Sequence, residues 1–79
     1  MSTMDRVAEI IRNVFDNDTA QIGRHTTAHD VDGWDSLSHV NLIVALESAF
    51  SIRFGQKELL TFKNVGDLVD GIDARLAGT

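Results

Sequence analysis

Ser36 stands at the start of the most hydrophobic segment of this 79-residue chain, in the stretch DGWDSLSHVNLIVALESAF. Its simplest role is a helix N-cap, in which the hydroxyl accepts a hydrogen bond from a free backbone N–H. Asp35 could cap the helix instead, and Ser36 would then be the first helical residue. A second hypothesis is that Ser36 carries a phosphodiester, because a helix N-terminus stabilises negative charge. The turn at Gly33 would expose the serine, and Asp35 could help to hold the metal ion of a phosphate-transferring enzyme.

His39 follows Ser36 by three residues and could share a helical face with it. A histidine at that spacing could activate the serine as a nucleophile. However, no third residue is placed to orient the histidine, and no glycine-rich segment follows to form an oxyanion hole. We therefore interpret His39 as a polar surface residue beside Ser36 rather than as a catalytic base.

The acidic stretch HDVDGWD does not fit a calcium loop. If Asp30 takes the first position, Asp32 fits the third, but Asp35 replaces the required glycine and Asn41 replaces the closing glutamate. The spacing of zinc ligands is also missing among the three histidines, which are His25, His29 and His39. The chain has no cysteine. The sequence therefore predicts no metal site.

Helical periodicity is clear near both ends of the chain. Between residues 4 and 15, apolar side chains recur every three or four residues, and Ser2 with Asp5 forms a capping-box pattern. The last helix has Asn64 as a predicted N-cap and Gly78 as a predicted C-terminal cap. Its apolar stripe consists of Val65, Leu68, Val69, Ile72 and Leu76.

The middle of the chain contains a long loop and two further helices. Residues 17–35 show no helical period, and we expect Ile22, Val31 and Trp34 to hold them against the core. The second helix should run from residue 35 or 36 to about 50, and GQKELL should form a short helix. The apolar run at residues 42–46 of the second helix predicts that this helix either is central in the bundle or presents an apolar surface to a partner. The predicted fold is an all-α bundle of three main helices and one short helix.

Length and charge restrict the class of protein. A chain of 79 residues predicts a single domain spanning residues 1–79. The net charge of −5 argues against a nucleic-acid partner, which requires clustered basic side chains. No apolar run approaches the roughly 18 residues needed to span a bilayer, and the N-terminus lacks a signal-peptide pattern. We therefore expect a cytoplasmic protein, without a membrane association, that is a monomer.

The segment GWDSL followed by VNLIVALESAF resembles an acyl carrier protein. The resemblance extends from the first helix through the long loop to LLTFKNVGDLVDGI, and so covers essentially the whole chain. It implies a small acyl-carrier-like four-helix bundle. It also implies that Ser36 receives covalent 4′-phosphopantetheine from coenzyme A, through a separate phosphopantetheinyl transferase that uses magnesium. The thiol of that arm would carry acyl groups as thioesters. The resemblance further implies that the chain itself has no catalytic residue and is not an enzyme.

The same resemblance implies which residues meet partner enzymes. Asp35 and Leu37 match the positions that flank the attachment site, and Glu47 matches an acidic position that partners commonly use. We expect partner contacts at these three residues and at Val40. The predicted partners are acyl-loading and acyl-processing enzymes with basic or apolar docking patches. The interior of the bundle would be able to part around an acyl chain.

The second helix departs from many fatty-acid carriers, which have several carboxylates along it. Here its polar positions include Ser38, His39, Asn41 and Ser48. This difference favours a free-standing carrier for a specialised, polyketide-like or other secondary pathway. Two alternatives stay open: an aminoacyl or peptidyl carrier of nonribosomal-type biosynthesis, and a helical interaction module without a cofactor.

Overall fold

The computed structural model of the chain describes residues 2–59 and 61–77, and no strand occurs within these ranges. Its elements are α1 (Thr3–Val14), a short 3-10 helix (Ala28–Asp30), α2 (Ser36–Phe50), α3 (Gln56–Leu59) and α4 (Val65–Ala77). The predicted all-α fold with three main helices, one short helix and a long first loop is confirmed. Leu60 and Gly78, to which the sequence assigned a place in the short helix and a helix cap, lie outside the described residues.

Helix α1 begins with the predicted capping box. The backbone N–H of Asp5 donates to the Ser2 hydroxyl (3.1 Å), and the N–H of Ser2 donates to the Asp5 carboxylate (3.2 Å). Two of the orphan donors at the helix start are thereby satisfied. The face of α1 that packs against α2 and α4 buries Val7, Ala8 and Ile11.

Helix α2 supplies the centre of the core. Leu42 and Leu46 are completely buried, and Ile43 and Phe50 are nearly so. The apolar run at residues 42–46 is central, as one of the two expectations had it, and it also presents apolar surface, because Val44 within it is 59% exposed. The helix ends at Phe50, and the next residue, Ser51, caps it with a positive φ of 55° and an N–H that donates to the Glu47 carbonyl.

The long loop is attached to α4 by backbone hydrogen bonds. The N–H of Val65 donates to the carbonyl of Thr26 (2.9 Å), and the N–H of Gly66 donates to the carbonyl of Arg24 (2.8 Å). A Cβ at residue 66 would lie 3.0 Å from that Arg24 oxygen, so the close approach of the two backbones favours glycine. The expected anchoring is observed: Val31 is buried, and Ile22 and Trp34 pack against the core.

A turn of 3-10 helix within the loop was not predicted. The N–H and the hydroxyl of Thr27 both donate to the Asp30 carboxylate, at 2.9 and 3.2 Å. This contact fixes three residues locally without any hydrophobic period, and for that reason the apolar pattern did not indicate it.

Helix α4 begins as expected, with the N–H of Asp67 donating to the Asn64 side chain (2.9 Å). Four of the five residues of the predicted apolar stripe are buried, whereas Leu76 is 46% exposed. It lies in the last turn of α4, beyond the buried stretch that ends at Ile72. None of the helices within residues 2–59 and 61–77 combines the length and apolarity that a membrane span requires.

We predict that Leu46→Ala lowers the free energy of unfolding by about 2–5 kcal/mol, because it removes a fully buried side chain and leaves a cavity. Val44→Ala, on the exposed side of the same helix, should change it by at most about 0.5 kcal/mol. Urea unfolding of both variants measures these changes. Equal losses of unfolding free energy in the two variants would contradict the burial of Leu46 and the exposure of Val44.

Candidate functional site

A tight turn leads into α2. Gly33 has a φ of 85°, a conformation that side-chain-bearing residues rarely adopt, and the N–H of Asp35 donates to the Gly33 carbonyl (3.0 Å). The carboxylate of Asp35 then accepts a hydrogen bond from the backbone N–H of Ser38 (2.9 Å). This hydrogen bond holds the pKa of Asp35 below its ordinary value of 3.8. Asp35 is therefore the N-cap of α2.

Ser36 is the first residue of α2 and is exposed. The hypothesis that Ser36 itself caps the helix is wrong, because the Asp35 carboxylate already binds the N–H that such a cap would take. Within the described part of the chain, no side chain or backbone group makes a hydrogen bond with the Ser36 hydroxyl. The hydroxyl is therefore available for chemistry at a helix N-terminus.

His39 is half-buried, so its interpretation as a surface residue was wrong. Its spacing of three, four and seven residues before Leu42, Ile43 and Leu46 places it on the core side of α2. The indole N–H of Trp34 donates to His39 Nδ1 (3.1 Å), and the two rings stack with their centroids 6.1 Å apart. Trp34 stacks on Phe15 in turn, with a centroid distance of 5.3 Å.

The hydrogen bond with Trp34 determines the protonation state of His39. An indole N–H is only a donor, so Nδ1 must be the unprotonated nitrogen of the ring. Burial also lowers the pKa of His39 below its ordinary value of 6.5. His39 is thus a neutral packing residue whose Nδ1 is already bound, rather than a base directed at Ser36.

An apolar stripe runs along the exposed side of α2. It consists of Leu37, Val40 and Val44, which are 73%, 56% and 59% exposed. Their spacing of three and four residues aligns them on one side of the helix, next to Ser36. The sequence analysis named Leu37 and Val40 as expected partner contacts but did not name Val44, although the same helical spacing would have included it.

Glu47 follows the apolar stripe by three residues and is not fully solvated. Its side chain is half-buried, and one carboxylate oxygen accepts a hydrogen bond from the backbone N–H of Phe54 (2.8 Å). The residue thereby joins α2 to the segment that follows it. Its role in contacting a partner stays a prediction. In residues 2–59 and 61–77, no three histidine or acidic side chains come together as metal ligands.

Similarity to known proteins was found in sequence and in structure. Residues 5–72 match the family described as the phosphopantetheine attachment site. The chain is 38% identical to an acyl carrier protein of Acidothermus cellulolyticus over 66 residues, which are 84% of this chain and 79% of the relative. It is 36% identical to one of Clostridium acetobutylicum over 70 residues, 89% of this chain and 91% of the relative.

The structural similarity is also close. The solution structure of a holo acyl carrier protein from Geobacter metallireducens has a TM-score of 0.91 and 51% sequence identity, over 99% of this chain and 90% of that one. The matched family defines a phosphopantetheine-binding carrier domain. The chain belongs to the acyl carrier protein family.

Membership of this family establishes the general biochemistry. The protein carries a covalently attached 4′-phosphopantetheine, and it is a carrier rather than an enzyme. Its partners include a phosphopantetheinyl transferase and acyl-processing enzymes. The alternative of a helical interaction module without a cofactor is therefore not supported.

We predict that the stability of the fold falls as the pH is lowered from about 7 to 5. The folded state holds His39 neutral, so the unfolded state binds more protons below pH 6.5. The contribution of neutral His39 to the free energy of unfolding is fully present above that pH. It is lost as the pH falls through the lowered pKa of the folded state. Urea midpoints measured across this range test the effect.

Two variants test whether His39, rather than another histidine, causes this pH dependence of stability. His39→Gln can still accept the indole hydrogen bond but does not titrate, so it should show a smaller pH dependence. The exposed His29→Gln should retain the dependence of the wild type. An unchanged pH dependence in His39→Gln would contradict the assignment.

Proposed function

We propose that Ser36 is the residue to which phosphopantetheine is attached. One observation carries the proposal. Asp35, and not Ser36, caps α2 by accepting a hydrogen bond from the Ser38 N–H (2.9 Å), so Ser36 is exposed with its hydroxyl free. If Ser36 were the cap, the cofactor and the helix would compete for one oxygen.

The residues around Ser36 fit a phosphate ester. The first turn of the 15-residue α2 presents free backbone N–H groups and partial positive charge, both of which favour an attached phosphate. Once attached, the arm supplies a thiol that carries acyl groups as thioesters. Ser36 contributes the oxygen that forms the ester, and Asp35 maintains the helix start while leaving that oxygen accessible.

We also propose that the apolar stripe, together with Asp35 and Glu47, contacts partner enzymes. The stripe lies on the side of α2 next to Ser36, so an enzyme that covers it also approaches the arm. Asn41 and Ser48 are exposed and uncharged on this helix, and Ser38 and His39 are half-buried. Partners would therefore bind through apolar contact more than through rows of ion pairs.

We propose that this carrier serves a specialised pathway, polyketide-like or other, because the polar positions of α2 lack the carboxylates that many fatty-acid carriers have there. An aminoacyl or peptidyl carrier is the second candidate, since it uses the same arm on a similar fold. The acidic residue before the serine and the acyl carrier proteins among its relatives favour the acyl carrier.

We predict that incubation with coenzyme A, magnesium and a broad-specificity phosphopantetheinyl transferase adds the mass of one phosphopantetheine. Intact-mass spectrometry should show this gain for the wild type and none for Ser36→Ala. The matched control is Ser38→Ala, which removes the next serine of α2 and should be modified fully. Modification of Ser36→Ala would overturn the assignment.

We predict that fatty-acid synthase enzymes use the modified protein about tenfold less efficiently than their own carrier. Two or three missing surface ion pairs, each contributing about 0.2–1 kcal/mol, would produce a difference of that order. Replacing Asn41 and Ser48 with glutamate should recover part of the rate of malonyl loading and elongation. A wild-type rate equal to that of the synthase's own carrier would remove the support for a specialised pathway.

A further inference from the structure

A small cavity lies beside the N-terminal half of α2. Its volume is about 50 Å³, and its walls include Trp34, His39, Phe62, Lys63 and Leu68. Two of these residues flank Ser36 in the chain, one two positions before it and one three positions after it. His39 lies about one helical turn after the proposed attachment point, so one wall of the cavity is near Ser36 along α2. A group at the end of a flexible arm on Ser36 could reach it.

Phe62 forms a wall of the cavity that has little freedom to move. Its ring packs edge-to-face on Phe54, with the centroids 5.3 Å apart. On the α4 side it contacts the backbone, because a Cβ built at Gly71 would lie 3.1 and 3.2 Å from two Phe62 ring atoms. Displacing Phe62 toward α4 would therefore create a steric clash, and displacing it toward Phe54 would break the aromatic pair.

Trp34 and His39 also line the cavity. Their hydrogen bond of 3.1 Å and their stacking hold both rings in place, and Phe15 supports the indole from its other side. Opening the cavity here would separate a half-buried donor from its acceptor, which is costly away from water. The aromatic and imidazole rings thus resist expansion from two directions.

The volume limits what the cavity can hold. A cavity of about 150 Å³ lined by apolar side chains accommodates benzene, which has six carbons. By that proportion, 50 Å³ holds about two carbons. An open surface depression of about 410 Å³, lined in part by Val40, Val44 and Arg53, offers much more room outside the core.

We propose that Phe62, supported by Gly71 and Phe54, limits the acyl group that this carrier can shelter in its interior to about two carbons. The inference rests on the proposed attachment at Ser36. Longer groups remain outside the bundle, exposed to solvent and to partner enzymes. Phe62 is therefore a specificity-determining residue, and the substrate class that it favours for sheltering is a short acyl group.

The experiment loads the full chain with acyl-phosphopantetheine from acetyl-, octanoyl- or dodecanoyl-coenzyme A and measures the Tm of each form by calorimetry. Intact mass is recorded first for every sample. In the wild type, the three forms should differ by less than about 2 °C, because the added methylenes stay in water. In Phe62→Ala, the Tm should rise by about 4 °C or more from acetyl to octanoyl, because methylenes become buried.

Two further variants serve as controls. Phe62→Leu enlarges the cavity less than Phe62→Ala and replaces it if that variant does not fold, and its Tm should rise by a smaller amount from acetyl to octanoyl. Phe50→Leu is its matched control, since it removes an aromatic ring from the other end of α2 and should behave like the wild type.

A wild-type Tm that rises with chain length would overturn the proposed limit. A Tm that stays level with chain length in both Phe62 variants would overturn the role of Phe62. A sample without the mass gain would instead overturn the attachment at Ser36, and this inference with it, so the two failures are distinguishable.

Discussion

The hydrogen bond between the Ser38 N–H and the Asp35 carboxylate fixes the start of α2, and the arrangement of the site depends on it. Because Asp35 supplies the cap, the next residue can be helical and exposed without a structural duty of its own. The turn at Gly33 brings Asp35 into this position through a φ of 85°. A serine whose hydroxyl makes no hydrogen bond within the described residues is well suited to modification, since its esterification breaks no such contact.

The two sides of α2 perform different tasks. Leu42 and Leu46 fill the centre of the core against α1 and α4, whereas Leu37 and Val44 remain exposed next to Ser36. Such a helix is apolar almost all round, a composition that is typical of a fully buried helix. Here it reflects one side that stabilises the fold and another whose apolar side chains are exposed to solvent.

Most of the helices could be predicted from the sequence, because they show regular apolar spacing and caps at Ser2 and Asn64. The sequence could not decide whether Asp35 or Ser36 caps α2, since both side chains suit the N-cap position and only the geometry distinguishes them. The interaction of Trp34 with His39 joins a loop residue to a helical one. No periodicity encodes such a contact. The helical spacing of His39 to Leu42 and Leu46 could have indicated its core side, but our interpretation of His39 as a surface residue overlooked it.

The central claim, that Asp35 stabilises α2 while Ser36 is free for attachment, is tested most directly by comparing urea unfolding of Asp35→Ala and Ser36→Ala at pH 7. We expect Asp35→Ala to unfold at a clearly lower urea concentration, because the Ser38 N–H loses its acceptor. Ser36→Ala should differ from the wild type by at most about 0.5 kcal/mol. A large loss of stability in Ser36→Ala, with little change in Asp35→Ala, would show that the serine is the cap and would contradict the account.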